Sequence, residues 1–290
     1  MSALKTGEAD KYIKKFENKT ILIKISGELF NDKTIDNISE NIFVLFKNGI
    51  KVIVIHGGGY QADDLSKKLG VQIKKVNGRR ITDLESLEIV KMVFSKANIE
   101  IIASLKKHNL KPVGLSGIDS GIIAKKREVK EVDYGFVGDV VDIDTNLVKI
   151  LLDKGFIPVI APIACDENGI VLNINADTIA IEFAKKLGVE KLVMLSNVPG
   201  VFEKLGDKSS VISYLTVSKM KKLVKSNSIN GGMIPKLESC ISALNHGVKR
   251  IHLIDGTIEN AILKEILTKK GIGTMIVDDA EMEVYKNEFE

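Results

Sequence analysis

Cysteine, tryptophan and proline are scarce in this chain of 290 residues, which has two cysteines, no tryptophan and five prolines. Cys165 and Cys240 are far apart and lack metal-ligand or redox spacing, so two reduced thiols of a cytosolic protein are expected rather than a disulfide scaffold. No pair at helical ligand spacing occurs among the four histidines, which are His56, His108, His246 and His252. We therefore expect no structural zinc site and no metal held by the protein alone.

Long apolar runs and blocks of like charge are also absent. No window approaches the ~18 apolar residues of a membrane span, and the first ten residues contain no apolar core of a signal peptide. The 42 Lys and Arg exceed the 38 Asp and Glu by only four charges, and they are spread along the chain. These absences predict a cytoplasmic protein and argue against a membrane anchor or nucleic-acid binding through charge alone.

Short β-rich runs alternate with amphipathic helical stretches along almost the whole chain. This alternation predicts an α/β fold around a largely parallel sheet. Hydrophobic residues make up 44% of the chain and charged residues 28%, and its length suffices for one large two-lobed domain or two modest ones. Because no linker rich in proline, glycine or serine divides it, we expect two lobes that share one sheet.

The apolar periodicity places the individual elements. Strands are predicted at 20–26, 51–55, 112–116, 156–160, 191–195, 250–254 and 274–277. Helices are predicted at 35–48, 146–154, 216–225, 235–245 and 258–270. A longer helix should begin at a capping box formed by Thr82 and Glu85 and end near His108. Residues 117–142, where glycines separate short runs, predict hairpins that cover part of the sheet.

Asn173, Asn175 and Asp177 are three polar residues spaced two apart, after an apolar run and directly before a helical segment. In an extended segment this spacing places all three on one face. Open α/β sheets bind ligands at the carboxyl ends of their strands, where such a cluster would lie. A simple turn with Asp177 as the helix N-cap explains the same residues, so taken alone they favour a site and a turn about equally.

Three glycine clusters occur where strands end or helices begin, namely Ser26-Gly27, 57–59 and 231–232. Consecutive glycines let backbone N–H groups approach a phosphate closely, and a following helix adds its positive end. None of the clusters fits the Walker or the Rossmann motif, and a tight turn explains each one alone.

Two lysines accompany these clusters. Lys24 interrupts an apolar strand just before Gly27, where it can reach a phosphate as a point charge. Pro235 suits a first helical turn and leaves Lys236 at a helix N-terminus, which is unfavourable for a cation unless an anion lies beside it. Each lysine alone could be an exposed charge, but together with the glycines they favour an anion site.

Seven segments occur in the order in which they are found in the amino acid kinase family. They are Lys-Ile-Ser-Gly at 24–27, Ile-His-Gly-Gly-Gly at 55–59, Asn-Gly-Arg-Arg-Ile-Thr-Asp at 77–83, Gly-Leu-Ser-Gly at 114–117, Asn-Ile-Asn-Ala-Asp at 173–177, Gly-Gly-Met-Ile-Pro-Lys at 231–236 and Gly-Ile-Gly-Thr-Met at 271–275. The chain resembles this family from about Tyr12 to Val277, and it is most similar to the acetylglutamate kinases. The resemblance implies a three-layer αβα sandwich around a mainly parallel central sheet, with hairpins over the substrate lobe. It also implies phosphorylation of the side-chain carboxylate of N-acetyl-L-glutamate by MgATP, the second step of arginine biosynthesis.

The family pattern also assigns roles to single residues. Three catalytic residues are implied: Lys24 and Lys236 neutralise the charge of the phosphates, and Asp177 orients both lysines. The resemblance implies that Arg80 binds the α-carboxylate of the substrate. The other implied substrate contacts are Gly58, Gly59, Asn173 and Asn175. The implied ATP and phosphate contacts are Lys24, Gly27, Gly57, Ser196, Asn197, Gly200, Gly232 and Lys236. An N-terminal helical extension is expected at 1–18, a lobe for the substrate and for dimer contacts at 19–180, and an ATP lobe at 181–290.

The first motif departs from the family pattern, because most acetylglutamate kinases have a second glycine where this chain has Ser26. In this respect it resembles the start of bacterial uridylate kinases, whose pattern the rest of the chain does not follow. A nearer alternative is the related kinase of carrier-bound aminoadipate or glutamate. That kinase has a segment similar to 195–200, but its version of the segment around Asn173 is different. A non-catalytic amino-acid-sensing module is a further alternative, although the three catalytic residues are all retained.

Family members that arginine inhibits resemble this chain near both termini. The resemblance implies an arginine effector site at Tyr12, His252, Glu265 and Gly271, where Glu265 could hold a guanidinium bidentately. It also implies a hexamer of dimers joined by N-terminal helices, with a simple homodimer as the alternative.

Other features of the same regions oppose an effector site. Thr257 and Asn260 replace residues common in that signature, and Gly7 interrupts the short N-terminal helix. Without an effector, His252 would simply end a core strand and Glu265 would be a solvated helix charge.

Overall fold

Strands and helices alternate along the chain in the computed structural model, as the sequence predicted. The structure describes residues 6–76, 78–204, 207, 210–225 and 233–287, with no side chain described at 6, 224–225 or 233–236. Within these residues, none of the helices is both long enough and apolar enough to cross a membrane.

The described helices are α1 Thr6–Phe16, α2 Asp32–Lys47, α3 Gly59–Leu69, α4 Leu84–Lys107, α5 Asn146–Asp153, α6 Ala176–Leu187, α7 Val217–Lys225, α8 Met233–Asn245, α9 Ala261–Ile266 and α10 Asp279–Asn287. The described strands are β1 Thr20–Ile25, β2 Lys51–His56, β3 Lys75–Val76, β4 Arg79–Arg80, β5 Pro112–Ser116, β6 Ile122–Lys126, β7 Gly138–Ile143, β8 Ile157–Ala161, β9 Ile163–Cys165, β10 Val171–Asn173, β11 Lys191–Ser196, β12 Tyr214–Thr216, β13 Arg250–Asp255 and β14 Thr274–Val277.

One eight-stranded sheet has the order β12-β14-β13-β11-β1-β2-β8-β5. Its neighbouring strands are parallel except for β13 and β14, which run antiparallel. At the centre, β1 pairs with β2 on one side and with β11 on the other, so strands from both halves of the chain form one sheet. The predicted mainly parallel sheet is confirmed.

The two faces of β1 bury different neighbours. Leu22 packs in an apolar layer with Phe183 of α6, whereas Ile21 and Ile23 pack in a second layer with Leu45 of α2. Each fully buried side chain of this size contributes roughly 1.5–3 kcal/mol relative to an exposed one. Because helices cover both faces of the sheet, the molecule has the three layers that the family resemblance implied.

A second sheet of four strands has the order β10-β9-β6-β7. Strands β6 and β7 form an antiparallel hairpin within the region where hairpins were predicted. Glycine fits at Gly138, because a Cβ there would lie 2.9 Å from the Cβ of Leu172 in β10. Asn173 is the last residue of β10, so the segment that starts there follows a strand of the small sheet and not, as expected from the sequence, a strand of the large one.

The start of α4 differs from its prediction. The N-cap is Asp83, whose side chain accepts the backbone N–H of Ser86 at 2.9 Å. Thr82 instead forms an isolated bridge with Gly135, which ties its backbone to the loop before β7. The predicted capping box of Thr82 and Glu85 is wrong, because adjacent Thr and Asp are both good caps and the bridge decides between them.

The C-terminal elements also differ. The helix predicted at 258–270 is limited to α9, which begins after Asn260 with its left-handed φ of 56°. Helix α10 has no counterpart among the predicted elements. It is fixed to β13 by Arg250, whose Nε donates to Glu281 Oε1 at 2.8 Å.

Candidate active site

A cleft of about 770 Å³ opens at the carboxyl ends of β1, β2 and β11, the central strands of the large sheet. Parallel strands end at the same edge of a sheet, and this brings Lys24, Gly57 and Ser196 to one side of the cleft. Arg80 and Asn173 line it as well. The volume falls within the roughly 300–1,000 Å³ typical of small-molecule sites.

Lys24 is a buried cation on the floor of this cleft. Its Nζ lies 2.7 Å from Asp177 Oδ1 and donates to Ser26 Oγ at 2.7 Å. The lysine side chain is only 7% exposed, so these two partners, rather than water, stabilise its ammonium group. An ammonium has three donors, and Lys24 can contact an anion in the cleft while it keeps both partners.

Ser26, the residue that departs from the family pattern, thus has a defined contact. Its backbone N–H donates to Leu195 O at 3.1 Å, which fixes the chain between β1 and β11. The side chain is turned to Lys24. A glycine at this position would remove one of the two partners of the ammonium.

The segment from Asn173 to Asp177 also lines the cleft. Asn173 Nδ2 donates to Thr82 Oγ1 at 3.1 Å. Asn175 is the N-cap of α6, because its Oδ1 accepts the N–H of Thr178 at 3.0 Å. The alternative in which Asp177 caps the helix is therefore wrong. Asp177 lies in the first helical turn, where its carboxylate pairs with Lys24.

The glycine clusters form a further wall of the cleft. Gly27, Gly57, Gly58 and Gly59 all line it. The N–H of Gly57, however, donates to Ile25 O at 2.8 Å. Because this N–H already has a partner, the donors of Gly27 and Gly58 are better placed for a phosphate, and the phosphate contact of Gly57 stays a prediction.

Arg80 is held in place by two acceptors. Its guanidinium forms an ion pair with Asp63 of α3, and its Nη2 donates to Gly59 O at 3.0 Å. Lys75 pairs with the other carboxylate oxygen of Asp63 at 2.6 Å. Asp63 was not predicted from the sequence, although it is a carboxylate on the helix that follows the glycine cluster.

The residues assigned to the nucleotide are brought to the cleft only in part. Ser196 and Asn197 line it at the end of β11. Gly200 packs against β14, where a Cβ would overlap Thr274 Oγ1, and it is not among the described lining residues. Its contact with the nucleotide stays a prediction. Gly232 and the side chain of Lys236 lie outside the described residues, although Lys236 belongs to α8.

The four residues predicted for an effector site lie together. With one buried lysine they line a narrow crevice: Tyr12, His252, Glu265, Gly271 and Lys191. His252 Nδ1 is 2.6 Å from Glu265 Oε1, and Glu265 Oε2 accepts the backbone N–H groups of residues 272 and 273. Glu265 is buried, so its interpretation as a solvated helix charge is wrong. Gly7 lies inside α1 and does not interrupt it.

Burial sets the charges in this crevice. Burial and the repulsion of Arg250 lower the pKa of Lys191 to about 7. Burial and the charge of Lys191 lower the pKa of His252 to about 4. The imidazole is therefore neutral near pH 7, with Nδ1 donating to Glu265 and Nε2 lying 3.0 Å from Lys191 Nζ.

Known sequences resemble this chain over most of its length. Residues 19–255 match the model of the amino acid kinase family. An acetylglutamate kinase from Caldanaerobacter subterraneus subsp. tengcongensis is 43% identical over 271 residues, which cover 93% of this chain and 91% of that protein. One from Methanocaldococcus jannaschii is 41% identical over 284 residues, which cover 94% of this chain and 95% of that protein.

Solved structures share the fold. An N-acetylglutamate synthase from Neisseria gonorrhoeae, in complex with coenzyme A and N-acetyl-glutamate, has a TM-score of 0.86 at 24% identity over 94% of this chain. This chain spans 63% of the length of that synthase. A carbamate kinase from Giardia has a TM-score of 0.66 at 16% identity, and the match covers 90% of this chain and 99% of that one. At these identities the likeness establishes the fold alone.

Proposed function

We propose, because the chain belongs to the amino acid kinase family, that it transfers the γ-phosphoryl group of ATP to the side-chain carboxylate of N-acetyl-L-glutamate. The products are ADP and N-acetyl-L-glutamyl 5-phosphate, an intermediate of arginine biosynthesis, and we place the reaction in the cytoplasm. The observation that carries this proposal is the ion pair of the buried Lys24 with Asp177 in a cleft lined by glycines. Relatives of 41–43% identity that are named acetylglutamate kinase support the choice of acceptor.

The chemistry of the acceptor explains why the cleft needs no general base. A glutamate-type carboxylate has an unperturbed pKa of about 4.3, so it is already ionised at neutral pH. One carboxylate oxygen attacks the γ-phosphorus while the bond from that phosphorus to the bridging oxygen breaks, and the electron pair leaves on ADP. Two anionic groups must meet, so the rate depends on charge neutralisation and aligned donors. Lys24 supplies the charge, and the N–H groups of Gly27 and Gly58 supply the donors.

We propose that Mg²⁺ enters with ATP. The described part of the chain has no group of three or more His, Cys, Asp or Glu side chains placed to hold a metal ion. Mg²⁺ that keeps several waters and the phosphate oxygens as ligands does not need such a group. When bound with ATP, the metal would supply positive charge that neutralises the negative charge developing on the phosphoryl oxygens during transfer. In the proposal Lys236 adds a second cation, and Ser196 and Asn197 contact the nucleotide.

The acceptor lies on the other side of the cleft in this proposal. Arg80, which Asp63 and Gly59 O already orient, binds the α-carboxylate of N-acetylglutamate. Asn173 and the amide nitrogen of Asn175 add polar contacts. Residues 19–180 then form the acceptor lobe and residues 181–290 the nucleotide lobe.

A substrate comparison tests the proposed reaction. ADP release should be measured with N-acetylglutamate, glutamate, aspartate, UMP and glutamate or aminoadipate linked to a carrier protein. We expect turnover with N-acetylglutamate at least about a hundredfold faster than with the others, because each of them lacks the α-carboxylate, the acetyl group or the side-chain length that N-acetylglutamate combines. Turnover of UMP or of a carrier-linked acceptor, but not of N-acetylglutamate, would overturn the proposal. If the protein phosphorylated none of these acceptors but still bound amino acids, a sensing module would be favoured instead.

We further propose that arginine inhibits the enzyme at the crevice beneath α1. Glu265 is buried beside the neutral His252, and a carboxylate has about four acceptor positions, so a guanidinium can share it with the present donors. We also propose a hexamer of three dimers, in which the dimers are joined by their N-terminal helices. Exposed Leu84, Met92 and Ile99 fall on one face of α4, which suits a contact between two copies of this chain.

Two variants test this regulation. Deletion of residues 1–17 should abolish arginine inhibition and reduce the mass in solution from a hexamer to a dimer. Glu265→Gln should weaken arginine inhibition at least tenfold, because it removes the charged acceptor. Glu259→Gln, on the loop before α9, serves as the control. The proposal fails if arginine has no effect on the wild type, or if the deletion leaves both the mass and the arginine response unchanged.

A further inference from the structure

His56 ends β2 directly before the glycine loop and is completely buried. Its ring makes edge contacts with Phe30 and Phe94 at centroid distances of 6.0 and 6.4 Å. Burial lowers the pKa of His56 to about 4, so the imidazole is neutral near pH 7. Such a residue has no access to the acceptor, and its two ring nitrogens need partners inside the protein.

Asn98 of α4 decides which ring nitrogen carries the proton. Its Nδ2 donates to Val159 O at 3.0 Å and lies 3.2 Å from His56 Nε2. An amide nitrogen is only a donor, so Nε2 accepts and the proton resides on Nδ1. Nδ1 then donates to Gly57 O at 2.9 Å. Gly114 leaves room for the amide, because a Cβ there would overlap Asn98 Oδ1.

The hydrogen bond to Gly57 O sets the direction of the next backbone N–H. In a trans peptide the C=O and N–H bonds point in opposite directions. With Gly57 O held on the side of His56, the N–H of Gly58 is turned away from the ring and towards the cleft that Gly58 lines. Ile25 O holds the N–H of Gly57, so both backbone groups of Gly57 are fixed. Without these bonds a run of glycines would sample many orientations.

We infer that His56 and Asn98 are positioning residues for the phosphate-binding glycine loop. Asn98 selects the imidazole tautomer, and His56 orients the Gly57–Gly58 peptide so that its N–H meets an oxygen of the transferring phosphoryl group. The inference rests on the proposed kinase reaction. A donor that is aligned in advance stabilises developing charge without reorganisation, so its loss acts on kcat more than on acceptor binding.

Four variants isolate this effect. His56→Leu keeps the apolar contacts but cannot donate, whereas His56→Asn places an amide N–H near the position of Nδ1. His56→Gln carries the same amide one carbon farther out, near the position of Nε2, and is the matched control for His56→Asn. Leu45→Ala, in the apolar layer on the α2 side of the sheet, controls for a general loss of core stability.

The first readout is the separation of kcat from KM in the ADP-release assay. We expect His56→Leu to lower kcat about 30- to 100-fold while KM for N-acetylglutamate changes less than about threefold. His56→Asn should recover most of this loss, and its kcat should exceed that of His56→Gln about tenfold. This comparison of the Asn and Gln variants tests the inference even if the leucine variant does not fold. A kcat of His56→Leu no lower than that of Leu45→Ala, or equal kcat values for the Asn and Gln variants, would overturn the inference.

A binding measurement separates this inference from the proposed reaction. Dissociation constants for ADP and for an ATP analogue with an imido bridge between the β- and γ-phosphorus can be measured by titration calorimetry whatever the acceptor is. His56→Leu should reduce the preference for the triphosphate analogue about tenfold, and His56→Asn should restore it. An unchanged preference contradicts the role of His56, whereas a wild type that does not phosphorylate N-acetylglutamate contradicts only the proposed reaction.

Discussion

Lys24→Met is expected to lower kcat by about a thousandfold, with little change in the fold. A single neutral donor at a site of developing negative charge contributes about 10²–10³ in rate, and Lys24 is a buried full charge. Methionine keeps the length and apolar character of the side chain, but it leaves Asp177 without the partner that now lies 2.7 Å away. The measurement is ADP release at saturating ATP and N-acetylglutamate, with circular dichroism to verify folding.

Two further variants make this result specific. Lys51→Met removes a lysine from the neighbouring strand, where Lys51 pairs with Asp153 at 2.7 Å outside the cleft, and its kcat should stay within about twofold of the wild type. Ser26→Ala removes one hydrogen bond of Lys24, of net value about 1 kcal/mol, and should lower kcat about fivefold. If Lys24→Met retained more than a tenth of the wild-type kcat, Lys24 would not be the residue that neutralises the phosphoryl group.

Arg80→Ala is expected to raise KM for N-acetylglutamate about a hundredfold and to leave KM for ATP within about threefold. Charge-assisted hydrogen bonds contribute about 1.5–3 kcal/mol each, and a bidentate pair with the α-carboxylate would be lost. Asp63 keeps Lys75 as a partner in this variant, so α3 is not left with an unpaired carboxylate. Initial rates across a range of acceptor concentrations give both constants.

An analogue identifies the group that Arg80 binds. The α-amide of N-acetylglutamate lacks the α-carboxylate, so the wild type should use it about as poorly as Arg80→Ala uses N-acetylglutamate, and the variant should scarcely distinguish the two acceptors. Lys68→Ala is the matched control, because Lys68 pairs with Asp64 of the same helix α3 and does not line the cleft. An unchanged KM for N-acetylglutamate in Arg80→Ala would refute the assigned role.

Strand β1 shows what a local sequence pattern can predict and what it cannot. An apolar run predicted β1, and alternation placed Lys24 on the same face as Leu22. What neutralises a buried lysine could not be read from this run, because Asp177 belongs to a helix far along the chain. The family resemblance paired the two residues, and the structure places their charged atoms in contact.

Cap residues and glycines show where local pattern fails. Thr82 and Asp83 are adjacent cap formers, and so are Asn175 and Asp177 at close spacing, so residue type alone does not choose between them. Gly57 and Gly58 are equivalent in sequence, yet the N–H of Gly57 is bound to Ile25 O. Both choices depend on partners from other elements.

The residues that the sequence analysis missed have a common property. Asp63 supports Arg80, and Asn98 fixes the tautomer of His56. Each acts through another side chain and carries no motif of its own. A search for polar residues on the helices that flank a glycine cluster would have found Asp63, but nothing local marks Asn98.

The sequence by itself determined the α/β alternation, the mainly parallel sheet and, through its ordered motifs, the family and the edge of the sheet where the site lies. These follow from periodicity and from short segments, which are local properties of a chain. Only the tertiary structure decided that Asp177 pairs with Lys24 while Asn175 caps α6, that the N–H of Gly57 is bound to Ile25 O, and that Glu265 is buried beside His252. A buried polar group must find its partner across the packed layers, and that partner is set by how distant segments meet.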